Sequence, residues 1–181
     1  MKSQISPHFL FNTLNNFYVE LYDENPQIAN DILRLSQLLR YVTYETADDF
    51  VSLKKEIQFI EDYLHFYKRR YEESFSVDFN VVGVVEAQKI ASLILIHFVE
   101  NVCKHGIVND KTRKAKITIA VSNEMLELTT ENFKNTAIKH EATGIGSANI
   151  KKRLTLLYKG NYILEEETEN DIFKVYLKLN C

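Results

Sequence analysis

The stretch LFNTLNNFYVELYDENPQIANDILRLSQLLRYV, residues 10–42, decides the fold of the first part of this chain. Its apolar residues recur at alternating steps of four and three, which aligns them along one face of a helix. The pattern breaks at Asn25-Pro26, a good N-cap followed by a residue favoured at the first helical position. We therefore predict two helices joined by a short turn. Their stripes are Leu10, Leu14, Phe17 and Leu21, then Ile28, Ile32, Leu35, Leu39 and Val42.

A hairpin with so narrow an apolar seam buries little surface on its own. Two such hairpins can pair into a four-helix bundle, and this is the economical way to cover both seams. The sequence therefore predicts a homodimer. The alternative is that the hairpin packs on the rest of its own chain.

The pattern after this hairpin predicts one further helix and then a sheet. The helix begins after Ser52, and its stripe is Leu53, Ile57, Ile60, Leu64, Tyr67 and Tyr71. From Ser74 apolar and polar residues alternate, as is typical of strands. We expect strands at 75–81, 116–121, 126–130, 162–168 and 172–179, a helix at 87–105 and another that follows Gly146 and runs to about residue 158.

These elements predict an α+β protein with two domains. Residues 1–72 form a helical dimerisation region, and residues 73–181 form an α/β sandwich with helices on one face of a mixed or antiparallel sheet. The net charge is −3 and the basic residues are scattered, so we expect no nucleic-acid surface. The cysteines Cys103 and Cys181 have no metal or redox spacing, which favours reduced thiols in a cytosolic compartment. No apolar run reaches the roughly 18 residues that a membrane span needs.

The first candidate chemistry lies in SPHFLFN, residues 6–12. On a helix, His8 and Asn12 share a polar stripe away from the apolar seam, so we expect His8 to be exposed. An imidazole is largely neutral near pH 7 and is then a competent nucleophile. Asn12, one turn on, is placed to hold the ring or an attacking water. A surface histidine without a function is the alternative.

A second candidate is HFVENVCKHG, residues 97–106, at the end of an otherwise apolar helix. Asn101 and Lys104 are three residues apart and share a face. They would supply an oxygen to Mg²⁺ and a cation to phosphate oxygens, as a triphosphate site requires. The alternative is a solvated helix end, in which Lys104 and His105 complement the helix dipole.

The third candidate is Gly144-Ile145-Gly146 just ahead of a helix. Glycines there let the backbone approach an anion, and the free N–H groups of the first turn point at it. The sequence contains no G-x-x-x-x-G-K-[ST] and no full G-x-G-x-x-G, so a P-loop and a dinucleotide fingerprint are excluded.

Taken in order, these motifs resemble the LytS-type sensor histidine kinases over essentially all 181 residues. The resemblance rests on PHFLFN, LLRY at residues 38–41, Tyr63-Leu64 with Arg70, VEN followed by KHG, and GIG with Asn149 and RL. It implies a helical phosphoacceptor region joined to a GHKL-type (Bergerat) ATPase domain that uses ATP and Mg²⁺. It also implies autophosphorylation, transfer to a response regulator, and a membrane sensor domain upstream of this cytoplasmic portion.

The resemblance assigns roles position by position. His8 matches the phosphorylated histidine, and Asn101 the magnesium-binding asparagine. Glu100, Lys104 and His105 match residues beside the phosphates. Gly144 and Gly146 match the glycines at the hinge of the ATP lid. Asn149 and Arg153 match the polar positions of the helix that follows this hinge. ATP is expected between the helix ending at His105 and a lid over residues 132–143. His8 is expected on a separate rigid body that swings toward the ATP.

One motif departs from the family pattern. Where the family usually has D-N-G-x-G, this chain has Glu131-Asn132-Phe133. We expect Glu131 to accept the hydrogen bond of the adenine amino group through its longer side chain, with Asn132 beside it. Phe133 replaces a glycine and would either stack on the base or plug the pocket. The departure keeps a second hypothesis open, a catalytically decayed pseudokinase that acts as a dimeric scaffold. A gyrase- or chaperone-type ATPase would leave PHFLFN unexplained.

Overall fold

The computed structural model describes residues 6–122, 124–135 and 145–180 of the chain. The chain divides after Asp48 into two compact units. We call the first the helical unit and the second, which begins at Asp49, the sheet unit.

The helical unit is the predicted hairpin. Helix α1 spans Pro7–Leu21 and helix α2 spans Pro26–Tyr44, followed by a single 3₁₀ turn at Glu45–Ala47. The Asn25 side chain accepts a hydrogen bond from the backbone N–H of Ile28 at 3.1 Å, which satisfies one of the free donors of the α2 N-terminus. The predicted N-cap and helix start at Pro26 are therefore confirmed.

The hairpin covers the predicted apolar stripes only in part. Phe11 is buried between the helices, its ring centroid 5.7 Å from that of Tyr44 and 4.9 Å below the Arg40 guanidinium. The stripes keep much of their surface: Leu10, Phe17, Ile28, Leu35 and Val42 are between 37% and 48% exposed. The chain therefore leaves an apolar seam uncovered along both helices.

The described residues of the sheet unit form three α-helices and seven strands. Its elements are β1 Phe50–Ser52, α3 Leu53–Tyr71, β2 Val77–Gly83, β3 Lys89–Ala91, α4 Ile94–His105, β4 Ala115–Val121, β5 Met125–Phe133, α5 Ile145–Tyr158, β6 Tyr162–Glu169 and β7 Ile172–Asn180, with a 3₁₀ turn at Glu72–Ser74. Five strands pair in the order β2-β4-β5-β7-β6, parallel between β2 and β4 and antiparallel elsewhere. The predicted α+β class and mixed sheet are confirmed.

One face of this sheet forms the core and the other faces solvent. Alternate residues of β4, β5 and β7 are buried, among them Ile117, Leu128 and Leu177 with no exposed surface. Helix α4 packs on the buried face against β5, and α3 packs against α4. The opposite face carries ion pairs such as Lys178–Glu127 at 3.1 Å. This alternation follows from the two-residue period of a strand.

The helix predicted over residues 87–105 is shorter than expected. Residues 89–91 form β3, which pairs antiparallel with β1, and α4 begins only at Ile94. Leu93 between them has a left-handed backbone, with φ of 57°, and its N–H donates to Glu56 Oε1 at 2.7 Å. A short apolar run does not distinguish a buried strand from a helix, so the sequence pattern missed this break.

The compact units divide earlier than residue 72. Helix α3 belongs with the sheet unit because its apolar face is buried there: Leu53 and Ile60 have no exposed surface, and Glu56 bonds the turn before α4. The division into functional regions at residues 1–72 and 73–181 stays a prediction.

Candidate functional site

The helical unit presents His8 on the exposed surface of α1. The Asn12 amide nitrogen lies 3.3 Å from His8 Nδ1, one helical turn away, and both side chains are exposed. The predicted exposure of His8 is therefore confirmed. We call this the first His–Asn pair.

A second His–Asn pair lies on α4, at the predicted magnesium asparagine. Asn101 Nδ2 is 3.4 Å from His97 Nε2, again across one helical turn, and both residues are half-buried. Burial lowers the pKa of His97, because it disfavours the charged ring; Glu100 and Glu166 partly offset this and Lys104 adds to it. The sequence analysis did not single out His97, although it repeats the four-residue spacing of His8 and Asn12.

The other polar residues of α4 lie at its exposed end. Lys104 Nζ contacts Glu100 Oε2 at 2.9 Å, with about half of the lysine side chain exposed. An exposed ion pair of this kind contributes only about 0.3–0.5 kcal/mol to stability. A phosphate can therefore readily replace Glu100 as the partner of the Lys104 ammonium group. His105 ends the helix and is also exposed.

Helix α3 packs against α4. Burial raises the pKa of Tyr63, whose hydroxyl lies 3.3 Å from that of Tyr67 and within the influence of Glu100. Burial likewise raises the pKa of the Cys103 thiol to about 12. Cys103 is therefore an inert, reduced core residue, as predicted from its spacing. Cys181 lies outside the described residues.

The end of α4 is joined by backbone hydrogen bonds to the end of β5. Ile107 N–H donates to Phe133 O at 2.9 Å, and Asn135 N–H donates to His105 O at 2.8 Å. Gly106 between them has no room for a side chain: a Cβ there would lie 2.5 Å from Val102 O and 3.0 Å from the Asn132 side chain. The glycine thus brings β5 and α4 into direct contact.

This contact brings Asn132, and not Glu131, to the end of α4. Asn132 is 2% exposed and touches Gly106. Glu131 lies on the opposite, solvent-facing side of β5, with Lys116 at 3.4 Å and Lys174 at 4.0 Å. Phe133 has the same strand parity as Glu131, which removes it from the face expected to hold the base. Glu131 and Phe133 therefore share the side of β5 opposite Asn132, because strand parity and not nearness in sequence decides the face.

Helix α5 is hydrogen-bonded to the residues just before α4. The Arg153 guanidinium donates to Ser92 Oγ at 2.8 Å, and Ala91 N–H donates to the Tyr158 hydroxyl at 2.9 Å. The second half of α5 therefore lies beside the beginning of α4. Asn149, nearer the start of α5, is exposed.

The predicted glycine hinge is described only in part. Gly146 lies in the first turn of α5, which begins at Ile145 rather than after the second glycine. Gly144 and lid residues 136–143 lie outside the described residues.

The residues present fit a Mg²⁺ ion that arrives with a triphosphate. The Asn101 amide nitrogen lies 3.4 Å from His97 Nε2, which leaves Oδ1 available, an oxygen ligand of the kind that magnesium prefers. Within residues 6–122, 124–135 and 145–180, no group of three or more histidines, cysteines or carboxylates could hold a metal. Magnesium commonly takes few protein ligands and fills its shell with waters and substrate phosphates.

Comparison with known proteins identifies relatives along most of the chain. Residues 1–75 match the family model described as histidine kinase. Sensor protein LytS of Staphylococcus saprophyticus is 28% identical over 173 residues, which cover 87% of this chain and 29% of that protein. Sensor histidine kinase BtsS of Escherichia coli is 26% identical over 183 residues, which cover 99% of this chain and 32% of that protein. The chain thus spans less than a third of the length of these curated relatives.

Solved structures share the fold at low sequence identity. The catalytic domain of histidine kinase ThkA matches with a TM-score of 0.52 and 14% identity, over 74% of this chain and 98% of that one. Acinetobacter baumannii histidine kinase AdeS matches with a TM-score of 0.51 and 11% identity, over 97% of this chain and 95% of that one.

The helical hairpin followed by a mixed sheet with helices on one face is thus a fold that this chain shares with solved histidine kinase structures. The relatives found by sequence indicate a narrower family than the fold does. This chain is a relative of the LytS-type sensor histidine kinases, so the predicted resemblance is confirmed. None of the helices in the described part of the chain is long and apolar enough to cross a membrane.

Proposed function

We propose that this chain is the kinase core of a sensor histidine kinase, which transfers the γ-phosphoryl group of ATP to His8 and then to an aspartate of a response regulator. One observation carries the proposal: His8 is exposed and held by Asn12 within the segment that matches the histidine kinase family model.

The proposed transfer uses one nitrogen of His8 as nucleophile. The Nε2 lone pair forms a bond to the γ-phosphorus while the bond from phosphorus to the β–γ bridging oxygen breaks, and ADP leaves with that electron pair. For this attack the ring carries its proton on Nδ1, which donates to the Asn12 amide oxygen. A half-turn of the amide, which exchanges its O and N atoms, brings that oxygen to the 3.3 Å contact. The transition state is loose, so positioning and charge stabilisation supply most of the rate.

The end of α4 and the end of β5 are proposed to hold the nucleotide. Asn101 Oδ1 would bind Mg²⁺, which supplies charge neutralisation at the phosphate oxygens when it is bound. Lys104 and His105 would contact the phosphates, with Glu100 holding Lys104 until the phosphates arrive. The lid hinge and start of α5 would complete the site: Gly144, Gly146 and Asn149.

We assign recognition of the base to Asn132 rather than to Glu131. Its amide oxygen can accept a hydrogen bond from the adenine amino group, and its backbone position faces the end of α4. Arg153 is proposed to act indirectly, because its guanidinium is committed to Ser92 and fixes α5 against the turn before α4.

The proposal includes a homodimer and a larger sensor protein. The uncovered seam of the helical unit is the surface that a second hairpin would cover. Residues 1–72 would serve dimerisation and phosphotransfer, and residues 73–181 would serve ATP binding. We further propose that the chain is the cytoplasmic portion of a membrane protein whose sensor domain lies upstream.

Incubation with radiolabelled ATP and Mg²⁺ tests the kinase proposal. We expect a label on the protein that is acid-labile and alkali-stable, that disappears in His8→Gln and that persists in the matched control His65→Gln. A label that survives His8→Gln would overturn the assignment. Release of free phosphate without labelled protein would indicate an ATPase instead.

The second candidate, a dimeric scaffold without catalysis, is favoured by the altered Glu131-Asn132-Phe133 box. Nucleotide binding distinguishes the two. We expect wild-type chain to bind ATP, Asn132→Leu to bind it at least about tenfold more weakly because a buried hydrogen bond to the base is lost, and the control Glu131→Gln to bind it normally. A chain that dimerises but binds no ATP would support the scaffold.

A further inference from the structure

We propose that His97 is a positioning residue that fixes the orientation of the Asn101 side chain, so that Oδ1 and not the amide nitrogen faces the metal. This inference rests on the proposed function, because it assigns Asn101 to Mg²⁺. It concerns a residue for which the sequence pattern gave no role.

The geometry of the second His–Asn pair carries the inference. His97 Nε2 lies 3.4 Å from Asn101 Nδ2, across one turn of α4. A ring nitrogen that accepts from Nδ2 leaves Oδ1 as the outward atom of the amide. A carboxamide without such a partner can rotate by half a turn and present N–H groups, which repel a cation. At 3.4 Å the bond is long, so we expect it to favour one orientation rather than to lock it.

The ring is itself held in place. It contacts Phe98 edge-on, with ring centroids 5.3 Å apart and an interplanar angle of 84°, and Phe98 is 1% exposed. Half-burial leaves the imidazole less freedom than a surface histidine has. A fixed acceptor next to a metal ligand is the arrangement by which neighbouring residues commonly orient ligands and raise metal affinity.

The same ring is poorly placed to be a metal ligand. With the ring proton on Nδ1, the Nε2 lone pair is directed at Asn101 Nδ2, 3.4 Å away, and does not face a metal. Within the described part of the chain, His97 belongs to no group of three or more histidines, cysteines or carboxylates that could hold a metal. His97 therefore acts through Asn101 rather than beside it.

Calorimetric titration of the whole chain with ATP, in the presence and absence of Mg²⁺, tests the inference. The measured quantity is the gain in affinity that Mg²⁺ brings. We expect His97→Phe, which keeps a ring but loses the acceptor, to reduce this gain about tenfold while affinity without Mg²⁺ stays unchanged. His97→Gln, which restores an acceptor oxygen, should recover most of the gain.

Two further variants separate positioning from general damage. His65 on α3 makes the same edge contact with its neighbour Phe66, at 5.5 Å and 82°, so His65→Phe is a matched control and should leave the gain unchanged. In Asn101→Ala the gain is lost, and adding His97→Phe to that variant should cost nothing more, because the residue to be oriented is gone. An additive loss in the double variant would overturn the inference.

The outcomes distinguish this inference from the proposed function. An unchanged magnesium gain in His97→Phe overturns the role of His97, whatever the labelling of His8. Absence of a magnesium gain in the wild-type chain also overturns it. Absence of phosphate on His8, with the gain present and sensitive to His97, overturns the kinase proposal alone.

Discussion

The molecule contains the same local pair, a histidine and an asparagine one helical turn apart, in two environments. In the helical unit His8 and Asn12 are exposed, with 3.3 Å between their nitrogen atoms. In the sheet unit His97 and Asn101 are half-buried, with 3.4 Å between theirs. We infer that His8 of the first pair accepts the phosphoryl group while Asn12 orients its ring. In the second pair we infer that Asn101 binds Mg²⁺ while His97 orients its amide.

The difference teaches that spacing alone does not assign a role. An exposed imidazole can reach a phosphorus atom that approaches from solvent, whereas the His97 ring is backed by Phe98 and turned toward its own helix. Burial also lowers the pKa of His97 and keeps its ring neutral. The surroundings of each pair therefore decide which member is available to a ligand.

Removing the binding member of the second pair should have the largest effect. We expect Asn101→Ala to lower the rate of His8 labelling by about a hundredfold or more, because a metal ligand at the transferred phosphate is lost. Its matched counterpart Asn12→Ala should retain normal affinity for ATP with Mg²⁺. Labelling rates and calorimetric affinities measured side by side check both; equal loss of affinity in the two variants would contradict the division of roles.

Removing the holding member of the first pair should have a smaller effect. In Asn12→Ala we expect labelling to slow about tenfold, the effect of losing one hydrogen bond of roughly 1.4 kcal/mol in the transition state. Single-turnover labelling at saturating ATP measures this rate. A variant as fast as the wild-type chain would show that Asn12 does not orient the ring.

Adding a side chain at Gly106, where the end of α4 contacts β5, should lower the stability of the sheet unit. We expect Gly106→Ala to lower the free energy of unfolding of the sheet unit by about 3 kcal/mol, because the new Cβ would meet Val102 O at 2.5 Å. A suitable control is Gly160→Ala, where φ is +85° and nothing lies within 4 Å of the new Cβ. There only backbone strain of about 1 kcal/mol is expected. Urea unfolding compares the two; equal losses would refute the packing argument.

The smallest effect concerns pH. Because burial lowers the pKa of His97 from its ordinary value of 6.5, the unfolded chain binds the proton more readily than the folded one. The contribution of His97 to stability is therefore complete above that value and is lost as the pH falls below 6.5 toward the lowered pKa. Urea unfolding at a series of pH values should show a shallower decline in His97→Phe than in the wild-type chain. An identical decline would argue against a neutral buried ring.

Much of the helical unit follows from sequence because its determinants are local. Asn25 caps α2, Pro26 starts it, and the spacing of polar residues exposes His8, all within a few residues of chain. The five strands of the larger sheet were predicted to within a few residues for the same reason: alternation is a local property. Strands β1 and β3 were not predicted.

Other features depend on residues distant in sequence and follow only from how the chain packs. Residues 89–91 became a strand because β1 lies beside them, and Asn132 rather than Glu131 reached the end of α4 because pairing of β5 with its neighbours fixes the face of each residue. His97 gained its inferred role from burial and from Phe98. Local sequence patterns therefore locate most of the helices and strands and the residue types that can do chemistry. Which of those residues meet was settled by packing, since a one-residue change in strand parity moves a side chain to the other side of the sheet.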